Sequence, residues 1–123
     1  MSTASALRDR YLRDPLPVRL GGLAANLARI HSFSDHPGHR DAVARLVHES
    51  KLFIEWTASE ADLSVQAVLA DCQRQLARWH LAWNDIWSSP AQRAEVAVHA
   101  RLWSQRVLEA SGLASPSAEH QVP

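Results

Sequence analysis

The chain has 123 residues, of which 46% are hydrophobic and 21% are charged, and its thirteen basic and thirteen acidic side chains give a net charge of zero. This size suits a single domain with one core, while the balanced charge lacks the positive excess that non-specific nucleic-acid binding uses. With no apolar run long enough for a membrane span and only one cysteine, the composition predicts a soluble cytoplasmic protein without membrane or nucleic-acid partners.

Apolar residues recur at steps of three and four along most of the chain, which is the pattern of helices that bury one face. The pattern predicts an all-α fold, an antiparallel up-down bundle of four main helices plus a short N-terminal helix. We assign residues 1–114 to this single bundle domain and residues 115–123, which are polar and hold two prolines, to a disordered tail. The short first helix is expected over about residues 4–13, before Pro15 and Pro17.

The second helix is predicted to begin near Pro17, and the third to begin at Pro37 and end near Thr57. The core face of the second helix consists of Leu20, Leu23, Leu27 and Ile30. A neighbouring face of small residues, which would admit a closely packed helix, consists of Gly21, Ala25 and Ala28. The core face of the third helix consists of Val43, Leu46, Val47, Ser50, Phe53 and Ile54.

A capping serine starts each of the last two predicted helices. Ser59 predicts the start of the fourth helix, and Ser89 with Pro90 and Gln92 predicts the start of the fifth, which ends at Gly112. The fourth helix is expected to continue without a break along a core face that consists of Val65, Leu69, Cys72, Leu76, Trp79, Trp83 and Ile86.

Several large apolar residues point away from these core faces: Leu52, Trp56, Leu81, Val98 and Leu102. Apolar residues on helices that already have a complete core face indicate a second buried surface. Either the first helix and the tail cover this surface, or another chain does. We predict that another copy covers it, which makes these residues a self-association interface of a homodimer or a larger homo-oligomer.

Four of the five tryptophans are candidates to line one pocket: Trp79, Trp83, Trp87 and Trp103. Such an aromatic wall would hold a planar ligand by stacking. The other interpretation is that Trp79 and Trp83, which lie on the core face of the fourth helix, fill the interior. We expect the core interpretation, with Trp87 less buried because it lies one position off that face.

Histidines are concentrated between positions 31 and 48, where His36 and His39 stand beside a predicted helix start. Imidazole is a common ligand of transition metals, so these two histidines are a candidate metal site. No His-Glu-x-x-His or Glu-x-x-His pair accompanies them. We therefore expect surface or capping histidines and no bound cofactor.

An arginine followed six residues later by a histidine occurs twice, at Arg74 with His80 and at Arg93 with His99. Helical ribonucleases of the HEPN type use such a pair, and the chain resembles them in helix count and in this spacing. It departs from them at Ala94, where they carry a polar residue. No nucleophile with an adjacent base, glycine-rich phosphate loop or paired carboxylate set is present, so we expect a protein that is not an enzyme.

Residues 19–21 with 25–30, and residues 49–51 with 53–57, resemble segments of small all-helical proteins of cyanobacteria. The resemblance implies a bacterial cytoplasmic protein and no activity. The sequence as a whole favours a non-enzymatic helical protein-interaction module that self-associates. A ligand- or metal-binding helical bundle is the alternative hypothesis, and a HEPN-like ribonuclease is a distant one.

Overall fold

The computed structural model describes residues 3–112, and this part of the chain contains six α-helices and no strand. The helices are α1 (Thr3–Leu12), α2 (Leu16–Phe33), α3 (Arg40–Thr57), α4 (Leu63–Leu81), α5 (Trp83–Trp87) and α6 (Pro90–Ser111), with 3-10 turns at Pro37–His39 and Ala58–Glu60. The predicted all-α class is confirmed. The predicted tail, residues 115–123, lies outside the described residues. Over the described range, no helix combines the length and the apolar character that crossing a membrane requires.

The capping hydrogen bonds of α4 and α6 test the helix ends that the sequence predicts. The Ser89 side chain accepts a hydrogen bond from the Gln92 backbone N–H, and Gly112 ends α6 with a φ of 80°, so both predicted ends of α6 are confirmed. Ser59 was the wrong cap for α4, because it lies in a 3-10 turn and Asp62 accepts the hydrogen bond from the Val65 N–H instead. This bond lowers the pKa of Asp62.

The fourth predicted helix is two helices. α4 ends at Leu81 and α5 begins at Trp83, with Ala82 between them at φ −103° and ψ 19°. The break contains no proline or glycine, and the spacing of apolar residues in the sequence continues through it. The sequence pattern therefore did not predict the break. The change of direction buries both Ile86 and Trp87, and the Trp87 indole Nε1–H donates to the Pro37 carbonyl at 2.8 Å.

The central helix is α2, which packs against both α3 and α6, while α4 packs against α3 and α6. At the α2–α6 interface the Ser104 hydroxyl donates to the Ala24 carbonyl at 2.7 Å. Such close approach requires small side chains, and Ala24 and Ala100 are both buried. Ala25 and Ala28, which were predicted to lie under a neighbouring helix, are exposed. Ala24 is the small residue that lies against α6 instead.

The short helix α1 is held to the rest of the chain by Tyr11. Its ring stacks on Phe53 of α3 at a centroid distance of 4.0 Å. Its hydroxyl donates to the Arg19 carbonyl of α2 at 2.9 Å and accepts from the Thr57 hydroxyl at 3.0 Å. One phenol therefore joins three helices.

Arg19 continues this network toward the end of α3. Its guanidinium, which is 6% exposed, donates to the Asp14 carbonyl and to both carboxylate oxygens of Glu60, at 3.0 and 2.8 Å. This bidentate contact lowers the pKa of Glu60. Because the Glu60 side chain is 52% exposed, water screens the pair, and its main effect is to orient the buried guanidinium.

Burial raises the pKa of Tyr11 to about 12, against an ordinary value of 10.0, although the Thr57 hydrogen bond and the charge of Arg19 act in the opposite direction. We expect tyrosinate absorbance to titrate with a midpoint near 12 in the native protein and near 10 in denaturant. Tyr11 is the only tyrosine, so this signal reports it alone. The folded state holds the phenolic proton more tightly, so the stabilisation is fully present below pH 10 and is lost as the pH rises toward 12. A native midpoint near 10 would contradict the burial of Tyr11.

Candidate functional site

Helix α6 has apolar residues on two opposite sides. Its inner side consists of the buried residues Val96, Ala100 and Val107. Its outer side, which we call the α6 stripe, consists of four exposed residues at steps of three and four: Ala91, Ala94, Val98 and Leu102. Val98 is 51% exposed and Leu102 is 45% exposed. A helix that buries only one face in its own core normally carries polar residues on the other, so the α6 stripe is an apolar surface that residues 3–112 leave uncovered.

Charged residues flank the α6 stripe. Glu95 lies one turn before Val98, and Arg106 lies one turn after Leu102, and both are exposed. The Arg106 guanidinium lies over the ring of Trp103 at 4.4 Å from its centroid. The apolar centre therefore has acidic and basic groups near its two ends, an arrangement that matches the polar rim of a protein interface.

The other residues predicted for the interface lie on other helices. Leu81, at the end of α4, is 86% exposed. Leu52 and Trp56 on α3 are half-buried, and the Trp56 ring contacts Tyr11 of α1 at a centroid distance of 5.9 Å. For Trp56, the first helix supplies part of the cover, which is the alternative that the sequence left open and that we did not prefer. The five residues belong to three helices, with Leu52 and Trp56 one turn apart on α3, Val98 and Leu102 one turn apart on α6, and Leu81 alone on α4.

Sequence reasoning missed three further exposed apolar side chains: Val18, Phe33 and Leu63. Val18 and Leu63 lie in the first turns of α2 and α4, and Phe33 is the last residue of α2. A helix end packs against fewer neighbours than its middle does. The positions of these three residues close to helix ends were therefore the signal in the sequence that could have identified them as exposed.

The tryptophans divide into core residues and partly buried ones. Trp79 is 4% exposed, which confirms it as a core residue. The prediction that Trp87 is less buried was wrong, because the break at Ala82 turns it inward and leaves it 6% exposed. Trp83 is half-buried, and its ring lies tilted by 31° to the Trp87 ring at a centroid distance of 5.2 Å. Trp103 lines a separate depression on α6, so the four rings do not form one wall.

A small pocket of about 180 Å³ lies where α3, α4 and α5 meet. Its lining consists of Ala44, Val47, His48, His80 and Trp83. The indole Nε1–H of Trp83 is buried and has no hydrogen-bond acceptor among the residues that the structure describes. We call this feature the Trp83 pocket.

At the candidate metal site, His36 and His39 each have Nδ1 engaged by a backbone group. The two ring centroids are 4.8 Å apart. His36 Nδ1 accepts from the Gly38 N–H at 3.0 Å, so in the neutral ring its Nε2 carries the proton and offers no lone pair to a metal. His39 Nδ1 lies 3.1 Å from the Phe33 carbonyl, to which it can only donate. Across residues 3–112, no group of three or more histidine, cysteine or acidic side chains is placed to hold a metal ion.

The arginines of the two arginine-histidine pairs make structural contacts. Arg93 donates from Nη1 to the Trp87 carbonyl at 2.7 Å and lies 5.6 Å from the Trp87 ring centroid. Arg74 forms an ion pair with Asp71 one turn before it. These contacts anchor α5 to α6 and stabilise the surface of α4.

Cys72 lies fully buried on the core face of α4. Burial raises the pKa of its thiol to about 12, and the positive charge of Arg106 lowers it less. The thiolate is the nucleophilic form of cysteine, so a thiol in this environment is unreactive. Cys72 is therefore a core residue, as expected.

A scan against protein-family models found no match, and neither did searches of curated proteins and of solved structures.

Proposed function

We propose that this protein is a non-enzymatic helical protein-interaction module that self-associates as a homodimer through the α6 stripe. The observation that supports this most directly is the second apolar face of α6, at Ala91, Ala94, Val98 and Leu102. The first face already fills the core, and none of the described residues covers the second, which a second copy would remove from water. The proposal includes the cytoplasmic location that the composition predicts.

A second copy suits this stripe because the surface is complementary to itself. In a two-fold dimer whose axis passes α6 at the level of Ala100, two α6 helices run antiparallel and Val98 of each copy lies opposite Leu102 of the other. The same pairing brings Glu95 close to Arg106 of the second copy. Opposite charges then meet at both ends of the apolar centre, which favours this pairing over a parallel one that would place like charges together.

The arrangement of the main helices as an antiparallel up-down bundle is also part of the proposal. Hydrogen bonds join Arg19 to Glu60 and Asn26 to Glu49, so residue numbers rise along α2 while they fall along its neighbours. The contacts of Ser104 with Ala24 and of His31 with Ala97 follow the same rule for α2 and α6. In such a bundle each main helix, α6 included, keeps one side on the outer surface, where a partner can bind.

The test is the mass in solution at tens of micromolar, measured by light scattering. We expect a dimer for the wild type and a monomer for the double variant Val98→Glu with Leu102→Glu, since four carboxylates would then meet at the dimer centre beside Glu95. Both positions are exposed, so the helical circular dichroism of the double variant should match that of the wild type.

Leu81→Glu provides the matched control, because Leu81 is an apolar residue that is more exposed, at 86%, and lies outside the α6 stripe. It should remain a dimer. A wild type that is monomeric throughout this concentration range would remove the proposal. A double variant that is still a dimer would show that the interface does not lie on the α6 stripe.

A further inference from the structure

A depression lies beside the α6 stripe on the surface of the same helix, and we call it the α6 depression. Its volume is about 320 Å³, whereas a cavity of about 150 Å³ in another protein already accepts benzene. A side chain from another molecule therefore fits here. The described residues that line it all belong to α6: His99, Leu102, Trp103, Gln105, Arg106 and Glu109.

Arg106 brings a positive charge to the α6 depression, and Trp103 favours one orientation of it. The guanidinium lies over the Trp103 ring, 4.4 Å from its centroid. In such a cation–π contact the flat guanidinium rests on the ring, while its N–H groups remain available to a carboxylate. Glu109 also lines the depression, but the five N–H donors of an arginine are enough for two carboxylates. The chemistry of the depression therefore suits an acidic side chain.

We infer that the α6 depression receives the Glu95 side chain of the second copy, whose carboxylate binds Arg106. This inference rests on the homodimer proposed above and goes beyond it, because it names the contact by which each copy selects the other. Positions 95 and 105 are equally far from Ala100, so a two-fold axis at Ala100 places Glu95 opposite Gln105. The depression spans positions 99–109. Glu95 of the second copy therefore arrives near its middle.

The side of the helix agrees with this pairing as well. Glu95, His99 and Arg106 follow one another at steps of four and seven, so they lie along one flank of the α6 stripe. In an antiparallel two-fold pair, each flank meets the same flank of the other copy. Within one copy, Glu95 and Arg106 are about 16 Å apart along the helix, which is too far for direct contact. Their contact can therefore form only between copies, and it forms twice in each dimer.

The test exchanges the two charges and measures the dissociation constant of the dimer by analytical ultracentrifugation. Glu95→Arg and Arg106→Glu should each raise this constant at least roughly tenfold, because two like-charged contacts form in every dimer. An equal mixture of the two variants should return to the wild-type constant, since both contacts of a mixed dimer join opposite charges. Native mass spectrometry identifies the mixed dimer by its mass.

The matched control is Arg101→Glu, which changes an exposed arginine on the other flank of the α6 stripe. Its mixture with Glu95→Arg keeps one like-charged contact, so it should dimerise less tightly than the first mixture. If Arg106→Glu folds poorly, Glu95→Gln and Glu95→Arg should weaken the dimer in that order, since both leave Arg106 on Trp103. Glu55→Arg, at an exposed position on α3, should leave the constant unchanged.

The outcomes separate this contact from the dimer itself. A wild type that is monomeric would remove the homodimer and the contact together. A dimeric wild type whose dissociation constant is the same in Glu95→Arg would overturn the Glu95 contact alone. A mixture of Glu95→Arg with Arg106→Glu that stays as weak as either variant would overturn it as well, because the two residues would then not meet.

Discussion

Replacing Trp79 or Trp87 by alanine is expected to lower the free energy of unfolding by about 3–5 kcal/mol in each case. Both rings are almost fully buried, at 4% and 6% exposure. Each substitution leaves a cavity that neighbouring side chains fill only in part, and in addition Trp87→Ala removes the hydrogen bond to the Pro37 carbonyl. Such a loss is a large part of the roughly 5–15 kcal/mol that stabilises a domain of this kind. Urea denaturation followed by circular dichroism gives the value directly.

Two further variants separate the effect of ring burial on stability from the effect of the hydrogen bond to Pro37. Trp83→Ala should cost clearly less than either, because that ring is half-buried. Trp87→Phe keeps most of the ring and removes the N–H donor, so it should cost about 0.5–1.5 kcal/mol for the hydrogen bond with a smaller packing loss. A Trp87→Ala variant with the midpoint of the wild type would mean that α5 does not pack as described.

Enlarging Ala100 to leucine should also lower the free energy of unfolding, by about 1–3 kcal/mol, because the added side chain forces α6 away from α2. Ala100 is fully buried on the inner side of α6. The hydrogen bond from Ser104 to the Ala24 carbonyl, at 2.7 Å, fixes the separation of the two helices nearby. The same urea experiment measures the change.

The matched control for that substitution is Ala70→Leu on α4. Ala70 is exposed, so leucine there should change stability by less than about 0.5 kcal/mol. Equal costs at the two positions would show that α2 and α6 do not approach as closely as the Ser104 bond indicates.

Much of the fold could be predicted because buried residues and helix caps leave local patterns. The predicted core face of α2, from Leu20 to Ile30, is buried throughout, and the Ser89 cap was found from residue types alone. The break at Ala82 left no such signal. It depends on contacts between residues far apart in the chain, such as the bond from Trp87 to Pro37, and periodicity reports only the side of a helix on which a residue lies.

The candidate sites were predictable to different degrees. Leu81, Val98 and Leu102 were expected to point away from the core, and all three are exposed. A residue on the side of a helix opposite its core face points to solvent unless another element packs there. The sequence left cover by the first helix as one of two alternatives for Trp56, because the choice between them depends on how Tyr11 docks through Thr57 and the Arg19 carbonyl. The Trp83 pocket is assembled from three helices, and no local pattern joins His48 to His80.

We expect the interface between α2 and α6 to form late in folding, because its contacts join distant parts of the chain. Its hydrogen bonds join residues that are 66 and 80 positions apart, whereas those between α2 and α3 and between α3 and α4 join residues 23 and 22 positions apart. The entropy lost on closing a loop grows with its length, so the nearer pairs of helices associate first and α6 docks on α2 late. Contacts that form after the transition state control the unfolding rate and leave the folding rate almost unchanged. The lifetime of the native state therefore depends on how well α6 is held to α2.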